Sequence, residues 1–274
     1  MNLVYVYDGT VEGLFCCIYE SFCRREIPTD IQPAGGQILL GEHSREIETD
    51  YDHAQKIYES LEKKIGHDCQ DFVYRAFLSN IPNREELIYR FIAMGYRIGS
   101  RIFDYIADDT VRPLVNGVRG LNREAHNYTG FVRFTLYENI LFSRITPKNQ
   151  VLPLLSDHFA DRYPDEVFLI WDRTHRMALV HQPRHPCVLT GLAEFSIPDE
   201  DQKQYEALWR CFQTAIAIEE RRNPLCQMNH LPKRYWADMT EFIGDAYAYQ
   251  PSRYPKAGHG ESGKTSGSAI LYPE

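Results

Sequence analysis

No stretch of this sequence is apolar for long enough to cross a bilayer, and no two of its cysteines are spaced as CxxC. The first absence excludes a helical membrane span. Met1 leads straight into a strand-like stretch, not into a charged segment and apolar signal core, so a cytoplasmic protein is expected. The seven cysteines (Cys16, Cys17, Cys23, Cys69, Cys187, Cys211, Cys226) match no zinc or iron–sulfur spacing, so no metal or cofactor is called for. Positive charge is also short. The net charge of −8 argues against a chain that coats nucleic acid indiscriminately, while leaving room for a local basic cleft. The acidic excess lies mainly in the first half. Residues 1–127 carry fourteen Lys and Arg against twenty Asp and Glu, and residues 128–242 carry thirteen against fifteen.

What is present is an ordinary globular composition, 43% hydrophobic and 25% charged over 274 residues. The expected fold class is α+β: a small antiparallel sheet of two or more hairpins, packed with a mainly helical N-terminal half and a long C-terminal helix. A single domain over 1–244 follows, with a helical lobe at about 10–127, a sheet-containing lobe at about 128–242 and a flexible tail at 245–274. A strand over Asn2–Tyr7 turns at Asp8-Gly9-Thr10 into a helix whose Val11, Leu14, Phe15, Ile18, Tyr19 and Phe22 follow helical spacing. Thr10 or Asp8 can cap it. Residues 27–49 read as loop with a short strand at Ile38–Leu40. Helices are expected at about 50–65, 67–79, 83–106 and 109–126, a strand at 187–197 and a long helix at 199–222.

The stretch Asn122–His181 organises the second half. In GFVRFTLYENILFSRI, alternation predicts a hairpin turning at Glu138-Asn139, with Tyr137 opposite Ile140, Thr135 opposite Phe142 and Arg133 opposite Arg144. Two arginines facing each other in a ladder repel unless an anion lies between them. The ordinary alternative gives each its own acid. A helix carrying Val151, Leu155, His158 and Phe159 on one face links this hairpin to a second, which turns near Asp172-Arg173-Thr174-His175 and places Arg176 at the same tip. Further on, Arg221, Arg222, Lys233, Arg234 and Trp236 interleave basic and aromatic groups, a mixture suited to phosphates and stacked bases. The competing reading is a short helix from Pro232 that buries Tyr235 and Trp236 and leaves Lys233 and Arg234 in water.

The run from Glu124 to His181, the opening VYDGTVEGLF and the segment IEERRNPLCQMNHLPKRYWADMTEF resemble the bacterial "probable DNA metabolism protein" family, whose function is unknown. The resemblance implies association with a radical-SAM protein of DNA repair or modification, and in some relatives fusion to a uracil-DNA glycosylase-like domain. It supplies no catalytic residues. The three-cysteine spacing of a radical-SAM cluster is absent, so the chain would be such an enzyme's partner.

The expected function is therefore a DNA-metabolism accessory that binds DNA, single-stranded or damaged, with that partner. The contacts would come from Arg133, Arg144, Arg173, Arg176, Arg221, Arg222, Lys233, Arg234 and Trp236. One alternative is an enzyme of nucleobase or nucleotide hydrolysis using Asp8, His126, Asp172 or His175 as acid or base, although nothing spaces them in a catalytic pattern. The other is a pure protein-interaction module. GHGESGKT (258–265) matches the phosphate-binding P-loop literally. It lacks the buried strand before it and the room for a helix after it that such a loop needs, so it reads as a false match.

Overall fold

The computed structural model describes residues 3–36, 43–137, 139–192 and 231–239. The expected strand Ile38–Leu40, the helix at 199–222, the tail and the GHGESGKT match lie outside the described residues, as do Arg221 and Arg222. The fold is α+β. Described in chain order are β1 (Leu3–Tyr7), α1 (Val11–Arg24), β2 (Asp30–Pro33), β3 (His43–Glu46), α2 (Tyr51–Lys64), α3 (Cys69–Leu78), α4 (Arg84–Ile98) and a 3-10 helix, Gly99–Asp104. These are followed by α5 (Val111–Phe131), β4 (Thr135–Tyr137), β5 (Ile140–Ile145), α6 (Leu152–Arg162), β6 (Val167–Asp172), β7 (Met177–His181), β8 (Val188–Gly191) and a second 3-10 helix, Lys233–Asp238.

Two small sheets form among the described residues, where a single antiparallel sheet was expected. In the first, β1 lies between β2 and β3, and both pairings are parallel. The loop expected over residues 27–49 thus contains two strands. The second sheet has the order β4-β5-β6-β7-β8. Its hairpins β4–β5 and β6–β7 are antiparallel, but α6 is a crossover that makes β5 and β6 parallel. The sheet is therefore mixed. No helix among the described residues is long and apolar enough to cross a membrane.

The first hairpin has the expected register, Thr135 opposite Phe142 and Tyr137 opposite Ile140, and Asn139 takes the positive φ of 68° that the turn requires. The expected Arg133–Arg144 pair does not form. The helix α5 runs to Phe131, the first ladder residue is Thr135, and Arg144 lies beside Trp171 of β6. The expected helix over 83–106 ends at Ile98, because Gly99 takes a φ of 66°. A Cβ on Gly95 would meet Ile65 Cδ1 at 2.5 Å, so α4 presses on the end of α2 there.

The core joins α1, α3, α4, α5 and α6 to both sheets, and Tyr235 of the second 3-10 helix belongs to it. Its ring meets Tyr128 edge-on at 5.0 Å and Phe131 at 5.1 Å, and its hydroxyl accepts a hydrogen bond from Asn127 Nδ2. Burying an aromatic ring this fully contributes on the order of 3 kcal/mol. It anchors the segment KRYWAD against α5.

Candidate functional site

Where Tyr235 is anchored, its neighbours are carried to the carboxyl ends of the parallel strands β5 and β6. Thr146, just past β5, donates from its hydroxyl to Asp238 Oδ1 at 3.0 Å. Arg144 Nε stands 3.7 Å from the same oxygen, too far for a hydrogen bond. The backbone N–H of Arg173 donates to Ile145 O, placing the tip of the second hairpin beside the end of β5. Asp238 keeps only 5% of its side chain exposed, and neither its Oδ2 nor Arg144 Nε has a hydrogen-bond partner. Burial pushes the Asp238 carboxyl above the usual range, against the hydrogen bond from Thr146 and the charges of Arg144 and Arg173.

A second buried carboxylate lies alongside. Glu124 of α5 is 2% exposed. It accepts from the Lys148 and Asn149 backbone N–H groups and from Asn149 Nδ2 at 2.6 Å, with Arg234 Nη2 at 3.5 Å. The Arg234 guanidinium lies over the Tyr235 ring at 4.6 Å, and Lys233 lies 5.8 Å from the centre of the Trp236 ring. Trp236 is half-buried and donates its indole N–H to Leu231 O. The short helix from Pro232, the competing reading of this segment, forms as a 3-10 turn that buries Tyr235 and leaves Lys233 and Arg234 exposed, but Trp236 is only half-buried.

The third carboxylate, Asp172, is 1% exposed and shapes the hairpin tip. Its Oδ1 accepts from the Thr174 and His175 N–H groups, and its Oδ2 lies 2.6 Å from His175 Nδ1. Arg176 closes the turn at φ 55°, exposed to solvent. Thus Arg144, Arg173, Lys233, Arg234 and Trp236 gather around one 3-10 helix, with Arg176 on the same hairpin tip as Arg173. Arg133 is not part of that gathering. It sits past the end of α5 and donates to the Gly130 and Val132 carbonyls.

The remaining acid–base candidates do not converge. Asp8 is exposed at the start of α1, where it accepts from Thr10 N, Thr10 Oγ1 and Thr49 Oγ1. Desolvation acts to raise its pKa, but those hydrogen bonds together bring it below the ordinary value. Gly13 is needed beneath it, since a Cβ there would stand 2.3 Å from Asp8 Oδ1. The residue is consumed in closing the helix start. His126 is exposed on α5 and lines a cavity of about 390 Å³ whose lining does not include Asp8 or Arg133. His158 packs edge-on to Phe159, and its Nε2 has no hydrogen-bond partner among the described residues. No group of three or more metal-ligating side chains is assembled among the described residues.

A family model described as a domain of unknown function, DUF4130, matches residues 82–241. The chain belongs to the DUF4130 family. Glu124, Arg144, Asp172, Arg173, Lys233, Arg234 and Asp238 all lie inside the matched range. No curated protein matches this chain. Among solved structures, a pGpG-specific phosphodiesterase, PggH from Vibrio cholerae, aligns with 79% of this chain and 100% of that chain. The identity is 9% and the TM-score 0.32, too low for a shared fold to follow. The DUF4130 description itself names no activity. Two residues that sequence reasoning passed over, Glu124 and Asp238, order this region. An acid inside an amphipathic helix and an acid in a short polar turn gave no signal that they would be buried.

Proposed function

We propose that this protein binds DNA, single-stranded or damaged, as an accessory in DNA repair or modification. One observation supports the reading best. Around the second 3-10 helix the carboxylates Glu124, Asp172 and Asp238 are buried, while Arg173, Arg176, Lys233 and Arg234 are exposed. Cations are therefore what this surface presents to solvent, although the molecule as a whole is acidic. Exposed cations on a fixed scaffold supply phosphate contacts, and the half-buried Trp236 adds an aromatic ring of the kind on which bases stack to the same segment. Association with a radical-SAM protein rests on the family resemblance alone, and co-purification with such a protein tests that part separately.

The DNA part is tested by fluorescence anisotropy with a labelled single-stranded oligonucleotide at low salt. Arg173→Ala and Lys233→Ala should each weaken binding uniformly across sequences. Arg119→Ala, an exposed cation on α5, should leave it unchanged. Equal behaviour of all three variants would remove the site, and no binding by the wild type would remove the function.

One contact favours a second reading. The 2.6 Å Asp172–His175 pair fixes an imidazole at the same hairpin tip, as an acid–base group in nucleotide or nucleobase hydrolysis requires. Release of base or phosphate from DNA that disappears in His175→Ala would establish it. Identical activity in that variant would exclude it.

A further inference from the structure

On the helical part of the molecule, α1, α2 and α3 enclose a groove of about 660 Å³ with the opposite chemistry. Its walls carry three exposed tyrosines, Tyr51, Tyr58 and Tyr74, over a floor that includes Phe15. Gln70 Nε2 donates to the Tyr58 carbonyl, tying α3 to α2 and fixing the width of the opening. The acids at its edge are Glu12, Asp68 and Asp71, and none of the twelve lining residues is a lysine or arginine. Asp71 is matched by Arg75 at 2.7 Å. Glu12 and Asp68 have no ion-pair partner among the described residues. Asp68 occupies the N-cap position of α3 without making a side-chain capping bond, so its oxygens are not tied up by the α3 amides.

A tyrosine-walled groove edged by two carboxylates without an ion-pair partner attracts a cation that can lie flat on a ring. A guanidinium does this better than an ammonium, being planar and weakly hydrated. The volume exceeds what one side chain fills. The neighbouring 390 Å³ cavity shares Asp71 and Tyr74 but also carries Arg75, which pairs with Asp71, so the acids left for a cation are Glu12 and Asp68 of the groove itself. We propose that this groove docks an arginine-bearing segment of a partner protein, with the guanidinium stacked on Tyr74 or Tyr58 and paired with Glu12 and Asp68. The site is independent of the DNA-binding region.

The test is calorimetric titration of the full chain with an end-capped Gly-Arg-Gly-Arg-Gly peptide, and with the same peptide carrying citrulline in place of arginine. The arginine peptide should bind and the uncharged isostere should not. Glu12→Gln, Asp68→Asn and Tyr74→Leu should each weaken binding about two- to fivefold, the range for an exposed cation–π or ion-pair contact. Circular dichroism checks that each variant is folded, and oligonucleotide binding should be unchanged in all three. No binding of the arginine peptide at low salt overturns the proposal. So does equal binding of the citrulline peptide, or binding that all three folded variants retain in full.

Discussion

Removing Glu124 should cost more than its place on a helix suggests. The carboxylate is 2% exposed and accepts three hydrogen bonds, two from backbone amides of the loop between β5 and α6 and one from Asn149 Nδ2. Asn149 Oδ1 in turn accepts from the N–H of Asn80, so one acid ties α5 to that loop and, through it, to the segment after α3. Each hydrogen bond to a charged acceptor contributes about 1.5–3 kcal/mol, and each buried donor left alone costs about 1–3 kcal/mol. Lys148 is exposed and Asn149 half-buried, so water reaches part of the loop and the lower half of these ranges applies. Glu124→Ala should therefore destabilise by about 3–5 kcal/mol, and Tm should fall by about 6–20 °C at 2–4 °C per kcal/mol. Glu124→Gln keeps one acceptor oxygen but turns an N–H₂ toward Asn149, for a loss of about 1–3 kcal/mol. Thermal and urea denaturation read both. The glutamine variant should bind single-stranded DNA at least as well as the wild type, because a negative charge 3.5 Å from Arg234 is gone. An alanine variant within about 1 kcal/mol of wild type would refute the reasoning, since no loss from three buried hydrogen bonds can be that small.

Two carboxylates should respond to pH in opposite directions. Burial raises the pKa of Asp238 in the folded state, so the stability it contributes is fully present below its unfolded pKa of about 3.9 and is lost as pH rises through the folded value. Asp238→Asn should therefore gain stability relative to wild type between acid and neutral pH. A difference independent of pH would contradict the burial argument. Hydrogen bonds lower the pKa of Asp8, so its contribution is present above about pH 3.9 and is lost as pH falls through the folded value. Asp8→Ala should destabilise by about 0.5–2 kcal/mol at pH 7, as the loss of a helix cap does, with the gap closing in acid. A gap that widens in acid would show that the Thr10 and Thr49 bonds are not the cause.

Most of the helices among the described residues and the two hairpins were legible because their apolar periods are unambiguous, although the helix expected over 83–106 stops at Ile98. Even the register at Tyr137 and Ile140 followed from a two-residue turn. The first sheet was not. Its central strand LVYVY announces itself, but DIQP and HSRE are edge strands in which only Ile31 is buried, so their polar sequences read as loop. Arg133 was misplaced for a related reason: α5 runs on to Phe131 because Tyr128 and Phe131 pack against Tyr235, a contact more than one hundred residues away. The candidate cations were visible as residue types. That Arg144 and Arg173 both act on Asp238, in a turn about 65 to 95 residues further along, depends on tertiary packing. No local pattern contains it.

The most direct measurement is the salt dependence of single-stranded DNA binding by the full chain. Four exposed cations, Arg173, Arg176, Lys233 and Arg234, lie on the second 3-10 helix and the hairpin tip beside it. If each displaces a counterion, log K against log salt should fall with a slope of about −3. A slope near zero, or no binding at low salt, would contradict a positive surface built on an acidic protein.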